Sequence, residues 1–223
     1  GPAQRVVSGT SAGWDEPHGD PLNIIAIECT GPTRQLAPGL PDADFTHDGQ
    51  LTKQAVRALT VAALAPSDGQ LLWDIGAGAG SVGIEWLRLN PSGRVVAVER
   101  DATRTARIGE NARRHGVASR LTVVDGEART VLAGLHGPPD AVFAGGGLDA
   151  EVFRLVWPAL ARGGIFVANA VAIPTQELVI GLAAEHGGEL EAAAGDLGGA
   201  EPHEGERGGG AQGVEGAVEA AAE

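Results

Sequence analysis

Cysteine occurs once in these 223 residues, at Cys29, and methionine and tyrosine do not occur at all. A lone cysteine excludes an internal disulfide and any zinc site built on several thiolates, and it suits a reducing compartment, where a buried, unreactive thiol is expected. No run reaches 18 consecutive apolar residues, and no basic segment leads into an apolar one at the start, so neither a membrane span nor a signal peptide is expected. The missing methionine and the Gly1-Pro2 opening point to a piece of a longer chain. Basic charge is scarce as well. Sixteen Lys and Arg against 29 Asp and Glu leave a formal net charge of -13, which argues against a nucleic-acid backbone or an anionic membrane surface as the main partner. Much of the excess is local: residues 188–223 hold 9 acids and 1 base, so residues 1–187 carry a net of only -5. The expected setting is cytoplasmic.

Hydrophobic residues make up 43% of the chain, enough for the core of one ordinary domain with extensions. Residues 1–40 are rich in Gly and Pro and hold one strand-like run, 23–28. A lone strand cannot bury itself, so this stretch reads as a linker with the remnant of a preceding domain. Val56, Leu59, Ala63 and Leu64 at helical spacing predict a helix over 52–64, ended by Pro66. Strands are then expected at 71–74, 94–98, 121–124, 140–144 and 164–169, and helices at 81–89, 102–115, 127–135, 149–161 and 174–186. Five repeats of short apolar strand and amphipathic helix call for an α/β fold over 41–187, with a mostly parallel, doubly wound, Rossmann-like sheet covered on both faces. Ligands then sit beyond the carboxyl ends of the strands. From 188 to 223 Gly, Ala and Glu dominate, which is the composition of a disordered acidic tail.

The stretch 71–86, LLWDIGAGAGSVGIEW, organises the rest. A strand ends near Asp74, a loop of Gly76, Ala77, Gly78, Ala79 and Gly80 follows, and a helix resumes at Ser81. Glycine at alternate positions lets a ligand lie against backbone N–H groups at the helix start. Such a loop can hold the methionine part of S-adenosylmethionine or the pyrophosphate of a dinucleotide; the GxGxxG formed by Gly78, Gly80 and Gly83 is weak evidence alone. Three carboxylates, Asp74, Glu99 and Asp125, each follow an apolar run and so come to one edge of the sheet. Glu99, at the end of the second strand, can accept both ribose hydroxyls. Gly126, Glu127 and Ala128 follow the third strand, where small residues can flank an adenine ring. Gly145, Gly146 and Gly147 follow the fourth, where backbone is cleared for a bulky substrate. No metal site is expected.

These segments resemble a known family. DGQLTKQAVRALTVAAL, LLWDIGAGAGSVGIEW, VVAVERD, DGEA, DAVFAGGG and GGIFVANAV are similar to the carbon-15-methylating, decarboxylating domain of precorrin-6Y methyltransferases of cobalamin biosynthesis, over residues 40–187. The resemblance implies a class I S-adenosylmethionine-dependent methyltransferase. The implied reaction methylates ring carbon 15 of an anionic precorrin tetrapyrrole and decarboxylates one acetate side chain. Thr52 is implied to close over the cofactor, Gly76–Gly80 to wrap its methionine moiety, Glu99 to take the ribose and Ala128 to lie against the adenine. Asp74, Gly126 and Gly145 complete the candidate cofactor-binding set. Residues 3–30 look like the last strand of a preceding methyltransferase domain. Family members acting alone are usually described as tetramers, so a homo-oligomer is implied. The departure lies at 188–223, where the closing hairpin of such sheets is not recognisable. Lys53, Arg57 and His47, near the implied lid, are candidates to pair with substrate carboxylates; no residue is assigned to the decarboxylation. Two other readings stay open: an NAD(P)-dependent oxidoreductase using the same loop, and a fragment that binds cofactor without completing catalysis.

Overall fold

The computed structural model describes residues 7–14, 26–28, 35–193 and 215–221, and the chain divides into two units, Gly1–Arg34 and Gln35–Glu223. In the first, a short 3-10 turn over Ser11–Gly13 is capped by the Thr10 hydroxyl, which accepts from the Gly13 N–H at 3.3 Å. Of the strand expected at 23–28, residues 26–28 are outside regular secondary structure. The rest of that run, and Cys29, lie outside the described residues.

The second unit begins earlier than the boundary expected at 41. The reason is local: Gly39 and Leu40 donate their N–H groups to the buried Glu85 carboxylate, at 2.5 and 3.0 Å. The elements that follow are α1 (Gln54–Ala63), β1 (Leu71–Ile75), α2 (Ser81–Leu89), β2 (Arg94–Glu99), α3 (Ala102–Arg114), β3 (Leu121–Asp125), α4 (Ala128–Val131), β4 (Ala141–Ala144), α5 (Ala150–Val156), β5 (Ile165–Ala170), α6 (Ile173–His186), β6 (Glu189–Ala193) and β7 (Glu215–Ala221). The strands form one sheet in the order β3-β2-β1-β4-β5-β7-β6. Pairing is parallel from β3 to β5 and antiparallel at β5-β7 and β7-β6. This is the doubly wound α/β sheet that the alternation of apolar strands and amphipathic helices demands.

Helix limits follow from side chains and glycines. The Asp101 carboxylate caps α3 by accepting from Thr103 and Arg104 N–H at 2.8 and 3.1 Å, and Asp149 caps α5 in the same way through Glu151 and Val152. Gly187, in the left-handed region at φ 76°, ends α6. Along the strands, side chains alternate between two cores with the period of two that a pleated strand imposes. Leu72, Val95, Ala97 and Phe143 pack with Ile84, Trp86 and Ile108 of α2 and α3. Trp73, Ile75, Val142 and Phe166 pack on the opposite face with Val152, Phe153 and Val179 of α5 and α6.

The closing hairpin, which composition did not reveal, is present. Leu190 of β6 stands opposite Val218 of β7, and β7 lies along β5 with Ala220 opposite Phe166. Main-chain N–H and C=O groups make this ladder, and β5 would otherwise present an open parallel edge. Gly, Ala and Glu carry those groups as well as any residue, so their poor strand propensity is overridden by the waiting edge. Residues 194–214 lie outside the described residues.

A buried ion pair fastens the segment before α1 to the sheet's helical cover. Arg57 and Glu85 have side chains 0% and 1% exposed, and the guanidinium Nε donates to Glu85 Oε1 at 2.5 Å. Arg57 also donates to Asp42 Oδ1 at 3.0 Å and to the carbonyls of Thr52 and Leu40, and it lies 4.8 Å from the Phe45 ring centre. Such saturation is what a charge out of water requires. Glu85→Ala leaves the buried guanidinium with only the half-exposed Asp42 as counter-charge, strips the Gly39 and Leu40 N–H groups of their acceptor, and should cost about 3–5 kcal/mol, with Glu85→Gln costing less. Urea unfolding of both variants beside the parent chain is the check.

Candidate active site

The strands after β1 wind to β2 and β3 on one side, while β4 and β5 lie on the other, so a crevice opens between the carboxyl ends of β1 and β4. Glycine follows the last residue of each strand, and the two loops meet backbone to backbone. A Cβ added to Gly76 would stand 1.9 Å from the Gly146 carbonyl oxygen, and one on Gly145 would stand 3.3 Å from the Gly76 oxygen. Behind them, a Cβ on Gly83 would meet Asp74 Oδ2 at 2.9 Å, so α2 approaches β1 this closely only through glycine. Gly78 differs. It takes φ 58°, and the nearest atom to its missing Cβ is the Gln50 carbonyl oxygen at 3.9 Å, which leaves an open backbone face.

The N–H groups expected to face a ligand are mostly engaged within the chain, chiefly by the end of β2. Gly76 and Ala77 donate to the Val98 carbonyl at 2.9 and 3.1 Å, and Gly80 donates to Ala77 at 2.7 Å. Gly78 donates to Glu99 Oε2 at 2.8 Å. Glu99 is buried, and its Oε1 accepts from Arg100 and Asp101 N–H, each at 3.0 Å. Three of about four lone-pair directions are thus used. The carboxylate can accept one further hydroxyl directly, and a second by releasing Gly78.

Asp74 lies deeper, at 1% exposure. Its Oδ2 accepts from the Gly83 N–H at 3.1 Å, and its Oδ1 has no partner among the described residues. Burial pushes its pKa up from 3.8 to about 7; the Gly83 bond opposes this, and the nearby Glu99 charge adds to it. The Glu99 charge, a neighbouring Asp74 that ionises near pH 7, and few free donors make the floor of the crevice repel an anion and favour a cation.

The other expected residues take the following places. Asp125 stands beside Glu99 in register but is exposed. Gly126 donates to the Glu99 carbonyl at 2.9 Å, and Glu127 pairs with Arg100 at 3.0 Å on the surface. Ala128 opens α4, half-buried. Thr52 is half-buried two residues before α1. His47 accepts the Gly49 N–H at 3.0 Å and so shapes a turn. Arg57 does not reach toward a substrate: its guanidinium is buried and held as described above, which corrects the expectation that it pairs with substrate carboxylates. Lys53, half-buried, has no ion-pair partner among the described residues. Sequence reasoning missed Asn111. Fully buried on α3, it donates from Nδ2 to the carbonyls of Ala79 and Thr46, both at 2.9 Å, and accepts the Thr46 N–H at 2.8 Å. The available signal was an amide three residues after Ile108, on the apolar face of α3.

A parallel sheet with this switch point, a terminal antiparallel hairpin, a glycine loop after β1 and an acid at the end of β2 together define the class I methyltransferase fold. Within that class, the chain belongs to the family described as precorrin methyltransferase domain, which matches residues 43–201. A precorrin-6Y C(5,15)-methyltransferase [decarboxylating] from Sinorhizobium sp. is 48% identical over 175 residues, covering 76% of this chain and 42% of that protein. The chain therefore spans less than half the length of this relative. A probable cobalt-precorrin-6B C(15)-methyltransferase (decarboxylating) from Saccharolobus solfataricus is 32% identical over 145 residues, 63% of this chain and 73% of that one. Among solved structures, the C-terminal domain of precorrin-6Y C5,15-methyltransferase from Rhodobacter capsulatus superposes with a TM-score of 0.72 at 41% identity, covering 85% of this chain and 99% of that one. Among the described residues no helix is long and apolar enough to cross a membrane.

The raised Asp74 pKa predicts a pH signature. The folded carboxyl keeps its proton up to about pH 7, whereas the unfolded one loses it near 3.8, so the stability this group contributes is full below about pH 4 and is lost as pH rises through about 7. Asp74→Asn cannot titrate. Measured by urea unfolding, the parent should lose stability relative to Asp74→Asn by a few kcal/mol between about pH 4 and pH 8.

Proposed function

We propose that this chain binds S-adenosylmethionine in the crevice and methylates ring carbon 15 of a precorrin, with decarboxylation of an acetate side chain on the same macrocycle. The observation that carries the cofactor reading is the charge of the crevice floor. The Glu99 carboxylate is buried there, Asp74 behind it gives up its proton only near pH 7, and most of the loop's N–H groups are already bonded, so a dinucleotide pyrophosphate would meet a carboxylate and few donors. A ligand with a sulfonium and an ammonium group meets the opposite situation. The unpartnered Asp74 Oδ1 and the open face of Gly78 fit such a group. These features weigh against the NAD(P) alternative.

Bound there, S-adenosylmethionine supplies an electrophilic methyl group. The chain's own work is then positional. Glu99 accepts a ribose hydroxyl, Gly76–Gly80 lie along the methionine part, Ala128 borders the adenine, and Thr52 closes the near side. Gly146 and Gly147 are exposed beside the crevice and carry no side chains, which leaves room for a flat macrocycle. Lys53 offers a cation to one of its carboxylates. The precorrin substrate, supported by the relatives' names, and a remnant of a preceding methyltransferase domain within residues 1–40, supported by the relatives' greater length, belong to the same proposal, as do a cytoplasmic setting and homo-oligomeric assembly.

Calorimetry tests the reading. S-adenosylhomocysteine should bind and NAD should not; preferential binding of NAD would sink the methyltransferase assignment. Glu99→Ala should weaken S-adenosylhomocysteine binding by about tenfold or more, the effect of losing one charge-assisted hydrogen bond. Turnover of precorrin substrate by the parent chain separates an active enzyme from a fragment that only binds cofactor.

A further inference from the structure

Resting on the cofactor reading above, we infer that Asn111 and Arg57 are positioning residues that clamp residues 46–52 against the glycine loop and so set affinity for the methyl donor without touching it. Residues 46–53 contain no regular secondary structure. Side chains from helices hold them in place.

At one end stands Asn111. Its amide bonds both the N–H and the carbonyl of Thr46, and the same Nδ2 donates to the carbonyl of Ala79 in the glycine loop. Thr46 and Ala79 are therefore tied through one fully buried side chain. At the other end, Arg57 donates to the Thr52 carbonyl from the same guanidinium that is fixed by Glu85 and Asp42. Between the two ties, the Gln50 carbonyl is the nearest atom to the open face of Gly78. An outer tie runs to α3: Asp48 Oδ2 lies 2.9 Å from Arg104 Nε and 2.9 Å from Arg107 Nη1, and Gln50 Oε1 accepts from Arg104 at 2.7 Å. The Arg104 hydrogen bond, helped by the Gln50 N–H, holds the Asp48 carboxyl at about 2. The segment thus forms one wall of the space in front of Gly78, and its position is dictated from α1 and α3.

Neither buried residue has a close substitute. Alanine at 111 leaves two carbonyls and an N–H without partners, and lysine at 57 offers one point charge in place of a planar fork. The test measures S-adenosylhomocysteine affinity by calorimetry, methyl-donor KM and kcat with precorrin substrate, and amide hydrogen exchange across the chain. Asn111→Ala and Arg57→Lys should each raise the Kd by about tenfold, the effect of a lost charged or buried bond. KM should rise in parallel with kcat within about threefold, and exchange should speed up in residues 46–52 while β1 and β4 keep their protection. Asp48→Asn, at the half-exposed outer tie, should move Kd in the same direction by about two- to threefold. It decides the matter if the buried variants do not fold. Unchanged Kd in variants that retain protection in β1 and β4 would reduce both residues to a structural role and overturn the inference. A parent chain that fails to bind S-adenosylhomocysteine overturns the cofactor reading, and this inference with it.

Discussion

Two stretches of backbone meet at the sheet's switch point with no side chain between them, Gly76 against Gly146, and much of the site follows from that contact. Because the β1 and β4 loops touch, the space for a ligand is pushed forward, toward Gly78 and the end of β2. Because α2 sits close on β1 through Gly83, the Asp74 carboxylate is sealed behind the loop with one oxygen bonded and one bare. Any side chain at residue 76 would part the two loops and shift the floor on which both carboxylates rest.

Electrostatically the floor is set by burial more than by net charge. The chain is acidic on balance, yet the surface acids are screened by water and by arginine partners such as Arg104 and Arg129. Asp74 and Glu99 have no such screening, and their mutual repulsion is one reason the Asp74 proton is held so firmly. A positive ligand group relieves that repulsion. On the proposed reading the crevice favours a cationic ligand group, and recognition of a multiply charged anion falls to groups further out, with Lys53 the cation proposed for it.

Much of the architecture was legible because period and punctuation agreed. Each apolar run of the parallel sheet became a strand within a residue or two, and Gly116 and Gly187 ended helices where left-handed backbone was needed. The β6-β7 hairpin was not legible, since its partner is the main chain of β5 and backbone bonding leaves little trace in composition. Arg57 was misread for a related reason: a cation on a helix usually points to solvent, and nothing local says that Glu85, far along the chain, will be folded against it. Asn111 gave the same difficulty in reverse, a polar residue on an apolar helix face whose partners, Thr46 and Ala79, come from two separate loops. Of the site itself, the glycine pattern and the acid of β2 could be read, whereas the occupation of the loop's own N–H groups could not.

The position of β7 carries a consequence for the order in which the molecule can assemble. It follows β6 in the chain but lies between β5 and β6 in the sheet, so β6 has no edge to join until residues 215–221 have been laid down. On a chain emerging from the ribosome residue by residue, the five parallel strands can form while the outer flank of β5 stays bare, and the sheet is completed by the last strand to appear among those described. For that interval β5 is an unguarded template for strand addition from another chain.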